Sequence, residues 1–435
     1  MKDVFRAASL FPLESGDPRY VLCTEVRGDE NVVKCMANRI ERREGEPITQ
    51  LFTGHMGSGK STELQGLRKT LEDRGCFVAL LDADLELDLN DVEYTDILLG
   101  VARGLEHCLR EKKVNLDNKL LDNIAMWFAE VIYEKTDQDK LEAELSAEMK
   151  VGFATPPLLP LFAKLFARIM GQIKTSEEMK KTIRQRLDPQ ISHLIQSINL
   201  LIDSASAKVR KSGWKDLAIL FDNLEKIPLQ QKPDGTNRHE AIYLDNGRQL
   251  SALECHMVYT VPISMFFTPK ATLLTGIFPS YCTLPMVKVK NKSGEDFGPG
   301  YEALGDLIAR RILVEEAFSP GVVELLINSS GGSFRDLLRS IQYCCELTDI
   351  LPIGRQVAER AIGKIANEFR RAIPENHYEL LARVYRTKDV LRDTDHQLML
   401  YNTSVLEYTN GDLWYDVHPA ILELPRFKEA LARVS

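Results

Sequence analysis

The 435-residue sequence lacks several features that would assign it to a specialised class of protein. It has no excess of positive charge, because 55 lysines and arginines stand against 63 aspartates and glutamates, which gives a net charge of −8. A surface that attracts nucleic acid everywhere is therefore excluded, and any site for a polyanion must be local. No uninterrupted apolar stretch approaches the ~18 residues that suggest a membrane-spanning helix, and the N-terminus has no apolar signal-peptide core. We therefore predict a cytoplasmic protein that does not enter a membrane.

The eight cysteines form no Cys-x-x-Cys pair and are spread through apolar segments. This distribution predicts buried free thiols in a reducing compartment. Cys255 and His256 are adjacent soft metal ligands, but nothing nearby completes a set of four, so a structural zinc site is not expected. A hydrophobic fraction of 44% and a charged fraction of 27% are ordinary for globular proteins and exclude a disordered or collagen-like chain.

The alternation of short apolar runs with helical patterns predicts an α/β fold with a mainly parallel sheet. The candidate strands are Ile48–Thr53, Cys76–Asp82, Asp216–Asp222, His256–Pro262 and Pro285–Lys290. Residues 94–213 are far too many for one crossover helix and predict an inserted helical subdomain. We expect four parts: an N-terminal segment (1–45), a core with the sheet (46–296), a helical part (297–350) and a C-terminal domain (351–435).

One segment of the insertion, residues 156–173, is apolar and carries Lys164 and Arg168 four residues apart. It could be a helix that lies on a membrane or binds a partner. The helical spacing of its charges favours the other interpretation, in which the helix packs against its neighbours and exposes one charged face to solvent.

The sharpest motif fits the pattern G-x-x-x-x-G-K-[ST] and directly follows a candidate strand. Its glycines let backbone N–H groups converge on phosphate oxygens, and the next helix adds free N-terminal donors. We expect the Lys60 ammonium to lie between the β- and γ-phosphates of ATP and the Ser61 hydroxyl to ligate Mg²⁺. The alternative is a glycine-rich turn that caps a helix. The residues expected to bind ATP are Gly54, Gly57, Ser58, Gly59, Lys60, Ser61 and Thr62.

A second magnesium ligand should end a buried strand at the ligand edge of the sheet, and Asp222 satisfies this requirement. Position 223 is asparagine, which cannot accept a proton as a general base. Glu225 could reach the attacking water if the end of the strand curls into a turn, or it could be a solvated loop carboxylate beside Lys226. Because no acid directly follows Asp222, we expect slow hydrolysis.

Further polar residues follow the strands or begin a helix. Thr260 ends the fourth strand and would face the γ-phosphate, although threonine is also simply a good strand former. Arg335 follows the predicted N-cap Ser333, where a cation is unfavourable for its own helix, so we expect an anion nearby. This anion is either the terminal phosphate of ATP or a neighbouring acid. Asp82 and Asp84 follow the second strand and either line the site or act as caps.

The sequence resembles the AAA+ superfamily in the order of four features. These are the phosphate loop, Asp222–Glu225 (DNLE), Thr260 and Gly331–Leu338 (GGSFRDLL). They look most like the branch shared by origin-recognition and replication-initiator ATPases and the STAND signal-transduction ATPases. The resemblance covers residues 20–350 and leaves the insertion unexplained. It implies the following roles: Walker A for Lys60 and Ser61, Walker B for Asp222, sensor 1 for Thr260, and the sensor 2 arginine of a helical lid for Arg335.

The segment Tyr20–Glu30 resembles the N-terminal box that these ATPases wrap around adenine, which implies that Tyr20 and Arg27 contact the nucleotide. Two departures from the family pattern favour a switch over a processive motor. Asn223 replaces a typical glutamate, and residues 261–287 contain no arginine, with Lys270 as their one basic side chain. Arg310 and Arg311 in the lid could meet a neighbouring subunit or simply be solvated.

From about residue 376 the chain resembles a winged helix, with a candidate recognition helix at Thr394–Asn402 and a hairpin around Asn410-Gly411. Residues 351–435 carry twelve acidic and twelve basic side chains, and the candidate recognition helix has no lysine or arginine. Duplex binding normally needs several cations that neutralise phosphates. Protein docking is therefore favoured over nucleic acid, which stays an alternative.

The sequence thus predicts a five-stranded parallel P-loop NTPase sheet with a helical insertion, a helical lid and a C-terminal winged helix. The leading hypothesis is a slowly hydrolysing ATPase switch that, loaded with ATP and Mg²⁺, forms a homo-oligomer or engages a protein effector. Such ATPases, when bacterial, often serve in defence against phage, which the resemblance implies here. The alternatives are a DNA-binding initiator or loader and a non-hydrolysing ATP-dependent scaffold.

Overall fold

The computed structural model describes residues 1–43, 45–133, 161–231 and 237–434. Its central feature is a parallel sheet made from five strands of the described chain. These strands are β1 (Thr49–Gly54), β2 (Cys76–Asp82), β3 (Asp216–Asp222), β4 (His256–Val261) and β5 (Ser280–Leu284). Their spatial order is β2-β3-β4-β1-β5, so the carboxyl ends of β1, β3 and β4 lie side by side. The predicted α/β fold with a five-stranded parallel sheet is confirmed.

The first four strands agree with the sequence prediction to within one residue at each end. The fifth prediction, Pro285–Lys290, is wrong, because residues 280–284 form the edge strand. After β5 the backbone leaves the sheet, and the N–H groups of Met286 and Lys288 donate to the carbonyls of Glu407 and Val26. Met286, Val287 and Val289 are buried in small cores against the rest of the chain, which produces a strand-like apolar pattern without a strand.

Helices cover both faces of this sheet. Those that precede β3 are α1 (Lys2–Ala7), α2 (Val32–Glu41), α3 (Lys60–Asp73), α4 (Ala83–Glu86), α5 (Tyr94–Glu111), α6 (Asn118–Ile132), α7 (Leu161–Thr175), α8 (Glu177–Leu187) and α9 (Ile191–Lys211). Helices α2 and α3 pack on one face against Phe52, Val78 and Leu220. Helices α5 and α9 pack on the other face, against alternate residues of the same strands such as Phe77 and Ile219. This alternation places the two apolar layers on opposite sides of the sheet.

The predicted helical insertion is built from α5 to α9 in the described ranges. Its apolar helix α7 packs against α6, and the ring of Phe166 lies 4.7 Å from that of Phe128 and 4.1 Å from that of Phe162. For residues 161–173 the structure agrees with the packed interpretation, and residues 156–160 lie outside the described residues. In the part of the chain described here, no helix is both long and apolar enough to cross a membrane.

The chain after β3 is mainly helical, as predicted for the region beyond residue 290. Its helices are α10 (Arg238–Glu240), α11 (Gly247–Leu250), α12 (Ala271–Ile277), α13 (Gly298–Ala309), α14 (Val314–Ala317), α15 (Val322–Ser330), α16 (Phe334–Leu347), α17 (Arg355–Ala372), α18 (His377–Thr387), α19 (Thr394–Tyr401), α20 (Pro419–Leu422) and α21 (Pro425–Arg433). Between α19 and α20, strands β6 (Val405–Thr409) and β7 (Leu413–Val417) pair as the predicted antiparallel hairpin. The order of helix, helix and hairpin matches the sequence, and a winged-helix identity stays a prediction.

All eight cysteines are free thiols, and six of them are buried. Within the described ranges, no group of three or more His, Cys, Asp and Glu side chains is placed to hold a metal ion.

Candidate active site

The phosphate loop joins β1 to α3 at the carboxyl end of the sheet, as the motif predicts. Gly57 and Gly59 have φ angles of 88° and 96°, in the left-handed region that favours glycine. A β-carbon at Gly57 would lie 2.8 Å from atoms of both Ser333 and Arg335, so a larger residue would push the lid away from the loop. Gly59 is also the N-cap of α3, which brings the free N–H groups of that helix to the loop.

Lys60 is buried, and three oxygen atoms surround its ammonium group. Its Nζ donates to the carbonyls of Gly54 at 2.9 Å and His55 at 3.0 Å, and lies 3.1 Å from Oε1 of Glu225. Lys60 is 4% exposed and Glu225 is 5% exposed, so the two charges neutralise each other inside the protein. A phosphate that binds Lys60 must therefore compete with Glu225.

Glu225 lies in a short 3-10 turn, Leu224–Lys226, directly after β3. The end of the strand thus curls as the general-base interpretation requires, and the alternative of a solvated loop carboxylate is wrong. Burial by itself would raise the pKa of Glu225, but the Lys60 ammonium and the Thr260 hydroxyl hold that pKa below its ordinary value. Its Oε2 is buried and has no hydrogen-bond partner among the described residues, so an ionised oxygen is available to accept a proton.

Asp222 ends β3 beside the phosphate loop. Its Oδ1 accepts a hydrogen bond from the backbone N–H of Asn223 at 2.8 Å, and the nearby Ser61 hydroxyl favours the ionised carboxylate. Burial and the nearby charge of Glu225 raise the pKa of Asp222. A cation at this position would offset the repulsion between the two carboxylates, and Mg²⁺ prefers oxygen ligands of this kind. Ser61 and Asp222 therefore fit the magnesium site that the sequence predicts.

Asn223 has a φ angle of 67°, and its side-chain amide donates to Oδ1 of Asp82 at 2.7 Å. Asp82 also caps α4, because the same oxygen accepts from the N–H of Asp84 at 2.9 Å, and Asp84 pairs with Lys226. Both aspartates border the cavity next to the phosphate loop. The two interpretations of these acids are thus compatible, since the residues are helix-capping or ion-paired and also line the site.

Thr260 is fully buried at the end of β4 and is absent from the wall of the cavity. Its Oγ1 accepts from the N–H of Leu224 at 3.0 Å and lies 3.3 Å from the carbonyl oxygen of Phe221. The hydroxyl donates to this carbonyl, and it lies close enough to Glu225 to favour the ionised carboxylate. Thr260 therefore orients the turn that carries Glu225, and direct contact with the γ-phosphate stays a prediction.

The lid helix α16 begins against the phosphate loop. Oγ of Ser333 accepts from the N–H of Asp336 at 3.2 Å, which confirms Ser333 as the N-cap. The N–H groups of Phe334 and Arg335 donate to the carbonyl of Gly57 at 3.1 and 3.4 Å. The Arg335 side chain borders the cavity, and no carboxylate of the described ranges pairs with it. Its charge is therefore available to a phosphate, and the salt-bridge alternative is not observed.

These elements enclose a cavity of about 390 Å³, within the range of small-molecule sites. The cavity lies where the phosphate loop, the end of β3 and the lid meet. Among the residues predicted from the sequence, those in its wall are Tyr20, Gly57, Gly59, Lys60, Ser61, Thr62, Glu225 and Arg335. Behind this wall lie Gly54, Ser58, Asp222 and Thr260, all of which are buried.

Sequence reasoning missed residues 9–13, which form another part of this wall. The N–H of Leu13 donates to Oγ1 of Thr62 at 3.2 Å and fixes the segment beside the phosphate loop. Leu10 is 46% exposed and Phe11 is 86% exposed, so both side chains add an open apolar surface to this wall of the cavity. The sequence signal was the apolar run Leu10–Leu13, which has neither a helical nor a strand period.

The two residues of the N-terminal box that were expected to contact the nucleotide, Tyr20 and Arg27, have different positions. Tyr20 lines the cavity, and its hydroxyl donates to Glu63 of α3 at 3.2 Å. Arg27 does not reach the cavity, because it is 4% exposed, donates to the carbonyl of Ser58 and lies 4.8 Å from the centre of the Phe334 ring. The expectation that Arg27 contacts the nucleotide is thus corrected, since its side chain supports the phosphate loop and the lid from behind.

Arg310 is exposed to solvent, as one of the two interpretations expects, whereas Arg311 is partly buried. Arg310 donates to the carbonyl of Tyr20 at 2.7 Å, and Arg311 donates to the carbonyl of Arg19 at 2.9 Å. These hydrogen bonds form because the N-terminal segment folds back over α13 and offers its carbonyl groups, and a contact of either arginine with a neighbouring subunit stays a prediction. The two arginines therefore attach this segment to the lid.

The candidate recognition helix, α19, docks on the core that contains the parallel sheet. His396, Gln397, Met399 and Leu400 are buried in this helix. Nε2 of Gln397 donates to the carbonyl of Ser264, at 3.3 Å, and the hydroxyl of Tyr401 donates to the carbonyl of Ile227 at 3.2 Å. The helix is thus covered by the segments that follow β4 and β3, next to the catalytic turn.

The hairpin docks in the same way. The Tyr408 hydroxyl donates to the carbonyl of Gly331 in the lid at 2.7 Å, and the N–H of Met286 donates to the carbonyl of Glu407 at 3.1 Å. Tyr408 stacks on Trp414 with ring centres 4.5 Å apart, and both rings are buried. Both elements that a winged helix would present to DNA are therefore packed against the core and the lid in this conformation.

Comparisons with known proteins give structural likenesses of low identity. No family model and no curated protein matches the chain. Its fold is similar to that of the ORC2 protein of Aeropyrum pernix, with 12% identity, coverage of 98% of this chain and 96% of that chain, and a TM-score of 0.44. It is similar to the Walker-type ATPase paby2304 of Pyrococcus abyssi, with 11% identity, coverage of 98% and 99%, and a TM-score of 0.42.

A third likeness is to Cdc6p from Pyrobaculum aerophilum, with 11% identity, coverage of 95% of this chain and 99% of that chain, and a TM-score of 0.35. At these scores the likenesses are too distant to assign a residue or a function. The assignment below therefore rests on the contacts within this chain.

Proposed function

We propose that the protein is a Mg²⁺-dependent ATPase of the AAA+ type that acts as a slow nucleotide-controlled switch. One observation carries this proposal: Lys60, Ser61, Glu225 and Arg335 border one cavity, and Asp222 lies directly behind Ser61. This set supplies phosphate cations, oxygen ligands for a metal and an ionised carboxylate at a single place. In this proposal, ATP loading favours a homo-oligomer or the binding of a protein effector.

Each group has a separate task. The N–H groups of the loop and the charges of Lys60 and Arg335 bind and orient the phosphates, since positioning and charge stabilisation provide most of phosphoryl-transfer catalysis. Ser61 and Asp222 would hold Mg²⁺, which neutralises phosphate charge when bound. Glu225 would take the proton of the attacking water through its unpartnered oxygen.

Slow turnover follows from the same geometry. The Lys60 ammonium lies 3.1 Å from the Glu225 carboxylate and lowers its pKa, which makes this carboxylate a weaker base for water. Asn223, at the position where motors of this superfamily typically carry glutamate, can orient water but cannot take its proton. The Glu225 carboxylate therefore has two tasks, since it neutralises Lys60 and would also act as the base.

Light scattering after size-exclusion chromatography tests the switch. With Mg²⁺ and a non-hydrolysable ATP analogue, we expect a larger mass than in the apo or ADP-bound protein. Lys60→Ala should keep the apo mass with every nucleotide. An unchanged mass in all three states, with the analogue bound, would rule out nucleotide-controlled self-assembly.

A DNA-binding initiator or loader is the second candidate, and the order of α18, α19 and the β6–β7 hairpin favours it. The docked positions of α19 and the hairpin argue against DNA binding by this conformation, because both elements are covered. Residues 351–435 are also electrically neutral overall.

We expect duplex DNA to bind weakly at physiological salt, with a dissociation constant no tighter than the about 10⁻⁴ to 10⁻⁶ M of non-specific complexes. Fluorescence anisotropy over a salt series, with and without the ATP analogue, measures this. A nanomolar complex with a steep salt dependence would favour the initiator function.

A further inference from the structure

His55, the second residue of the phosphate loop, binds the C-terminal region with both of its ring nitrogens. Nδ1 lies 3.2 Å from the carbonyl oxygen of Leu400 in α19, and the N–H of Glu407 in β6 donates to Nε2 at 2.8 Å. His55 is 1% exposed, and burial together with the Lys60 charge lowers its pKa to about 3, so the ring is neutral. Because Nε2 accepts a hydrogen bond, the ring proton lies on Nδ1 and is donated to Leu400.

The backbone of the same residue binds the catalytic lysine. The carbonyl of His55 accepts a hydrogen bond from Nζ of Lys60 at 3.0 Å. One residue thus contacts Lys60 through its main chain and two C-terminal elements through its side chain. A shift of this peptide would disturb both sets of bonds together.

We propose that His55 is a positioning residue that couples the γ-phosphate site to the docking of α19 and β6, so that bound ATP loosens this docking. The inference deepens the proposed function and rests on it, because it requires ATP to bind at Lys60. Loosening would expose the buried faces of α19 and the hairpin, which would then become available to a partner.

The direction follows from the partners of Lys60. Glu225 lies 3.1 Å from the Lys60 ammonium, so this carboxylate and a γ-phosphate compete for the same charge. A γ-phosphate draws Lys60 away from Glu225 and thereby changes the bond to the His55 carbonyl. ADP lacks that group and leaves more of the Lys60–Glu225 pair in place. Since coupling between two sites is reciprocal, undocking would in turn change the affinity for ATP by the same factor.

Hydrogen exchange of the full chain tests this coupling at residues 394–409, which include the Glu407 N–H. The apo protein, the ADP complex and the complex with Mg²⁺ and a non-hydrolysable ATP analogue are compared, and calorimetry on the same samples measures binding. We expect the analogue to speed exchange by about 5- to 150-fold, the usual range of allosteric coupling, and ADP to have a smaller effect. If exchange with the analogue bound is equal to or slower than in the apo protein, the inference is overturned but the proposed function is not. Absence of binding would overturn the proposed function as well.

Two variants show whether the coupling passes through His55. His55→Gln should make exchange in residues 394–409 nearly the same with ADP and with the analogue. The matched control is Tyr401→Phe, which removes one hydrogen bond from the same helix to the core, at Ile227, away from the phosphate loop. This control should loosen docking in the apo, ADP and analogue states alike, but the difference in exchange rate between ADP and the analogue should remain. If His55→Gln shows the same difference in exchange rate between ADP and the analogue as wild type does, the inference is contradicted. If this variant does not fold, the comparison of the three wild-type states decides.

Discussion

Replacing Glu225 by glutamine is expected to lower ATP turnover by about 10²- to 10⁴-fold, the usual contribution of a general base. The amide keeps the size of the side chain but cannot take a proton from water. Affinity for ATP should stay within a few-fold of wild type or become tighter, because the carboxylate that competes with phosphate for Lys60 is gone. Steady-state phosphate release and equilibrium titration with a fluorescent ATP analogue measure the two quantities.

Asp84→Asn is the matched control for this experiment. It also converts a carboxylate of the cavity wall into an amide, but Asp84 pairs with Lys226 rather than with Lys60. We expect its turnover to stay within a few-fold of wild type. If Glu225→Gln hydrolyses ATP at the wild-type rate, another group activates water. If the wild type shows no turnover in any oligomeric state, the scaffold hypothesis becomes the better one.

Lys60→Ala is expected to abolish the stabilisation of the fold by Mg-ATP. Wild type should gain about 2.7 kcal/mol of unfolding free energy when ATP exceeds its dissociation constant a hundredfold. The variant should gain almost nothing, since the lysine charge and its hydrogen bonds to the loop are lost. Thermal unfolding with and without Mg-ATP measures the gain within each protein.

The unliganded variant should also be less stable than wild type, because the buried Glu225 carboxylate loses its partner, a loss typically worth about 3–5 kcal/mol. Only the change caused by ATP is therefore diagnostic. Lys69→Ala, on the exposed side of the same helix and paired with Asp73, is the control and should respond to ATP as wild type does. An equal ATP response in Lys60→Ala would refute the phosphate-loop assignment.

The sheet and the meeting of Asp222 with Lys60 at one of its edges could be predicted because short local patterns determine them. Strand β3 is a continuous apolar run ended by Asp222, and the loop before Lys60 needs glycines at particular φ angles. Both signals lie within a few consecutive residues. The parallel order of the strands then brings Asp222 and Lys60 to one edge without further information.

What the sequence did not reveal depends on contacts between distant segments. Residues 285–290 read as a strand because their apolar side chains alternate, but their partners are Val26 and Glu407 rather than a neighbouring strand. The role of His55 depends on Leu400 and Glu407, about 350 residues away, and no local pattern encodes such a pairing. Arg27 matched a family motif, but only its burial shows that it lies behind the loop.

In the proposed ATPase, the attachment of the N-terminal segment to the lid would determine how product leaves. Helix α1 packs on α16, and Arg310 and Arg311 bind the carbonyls of Tyr20 and Arg19, so residues 9–13 lie between two points fixed to the lid. When the lid swings open, it must carry this wall with it. In the proposed ATPase, the exit path for ADP would then open beside residues 9–13, once Leu13 separates from Thr62. The rate of nucleotide exchange would thus depend on a backbone contact of the N-terminal segment rather than on the phosphate loop.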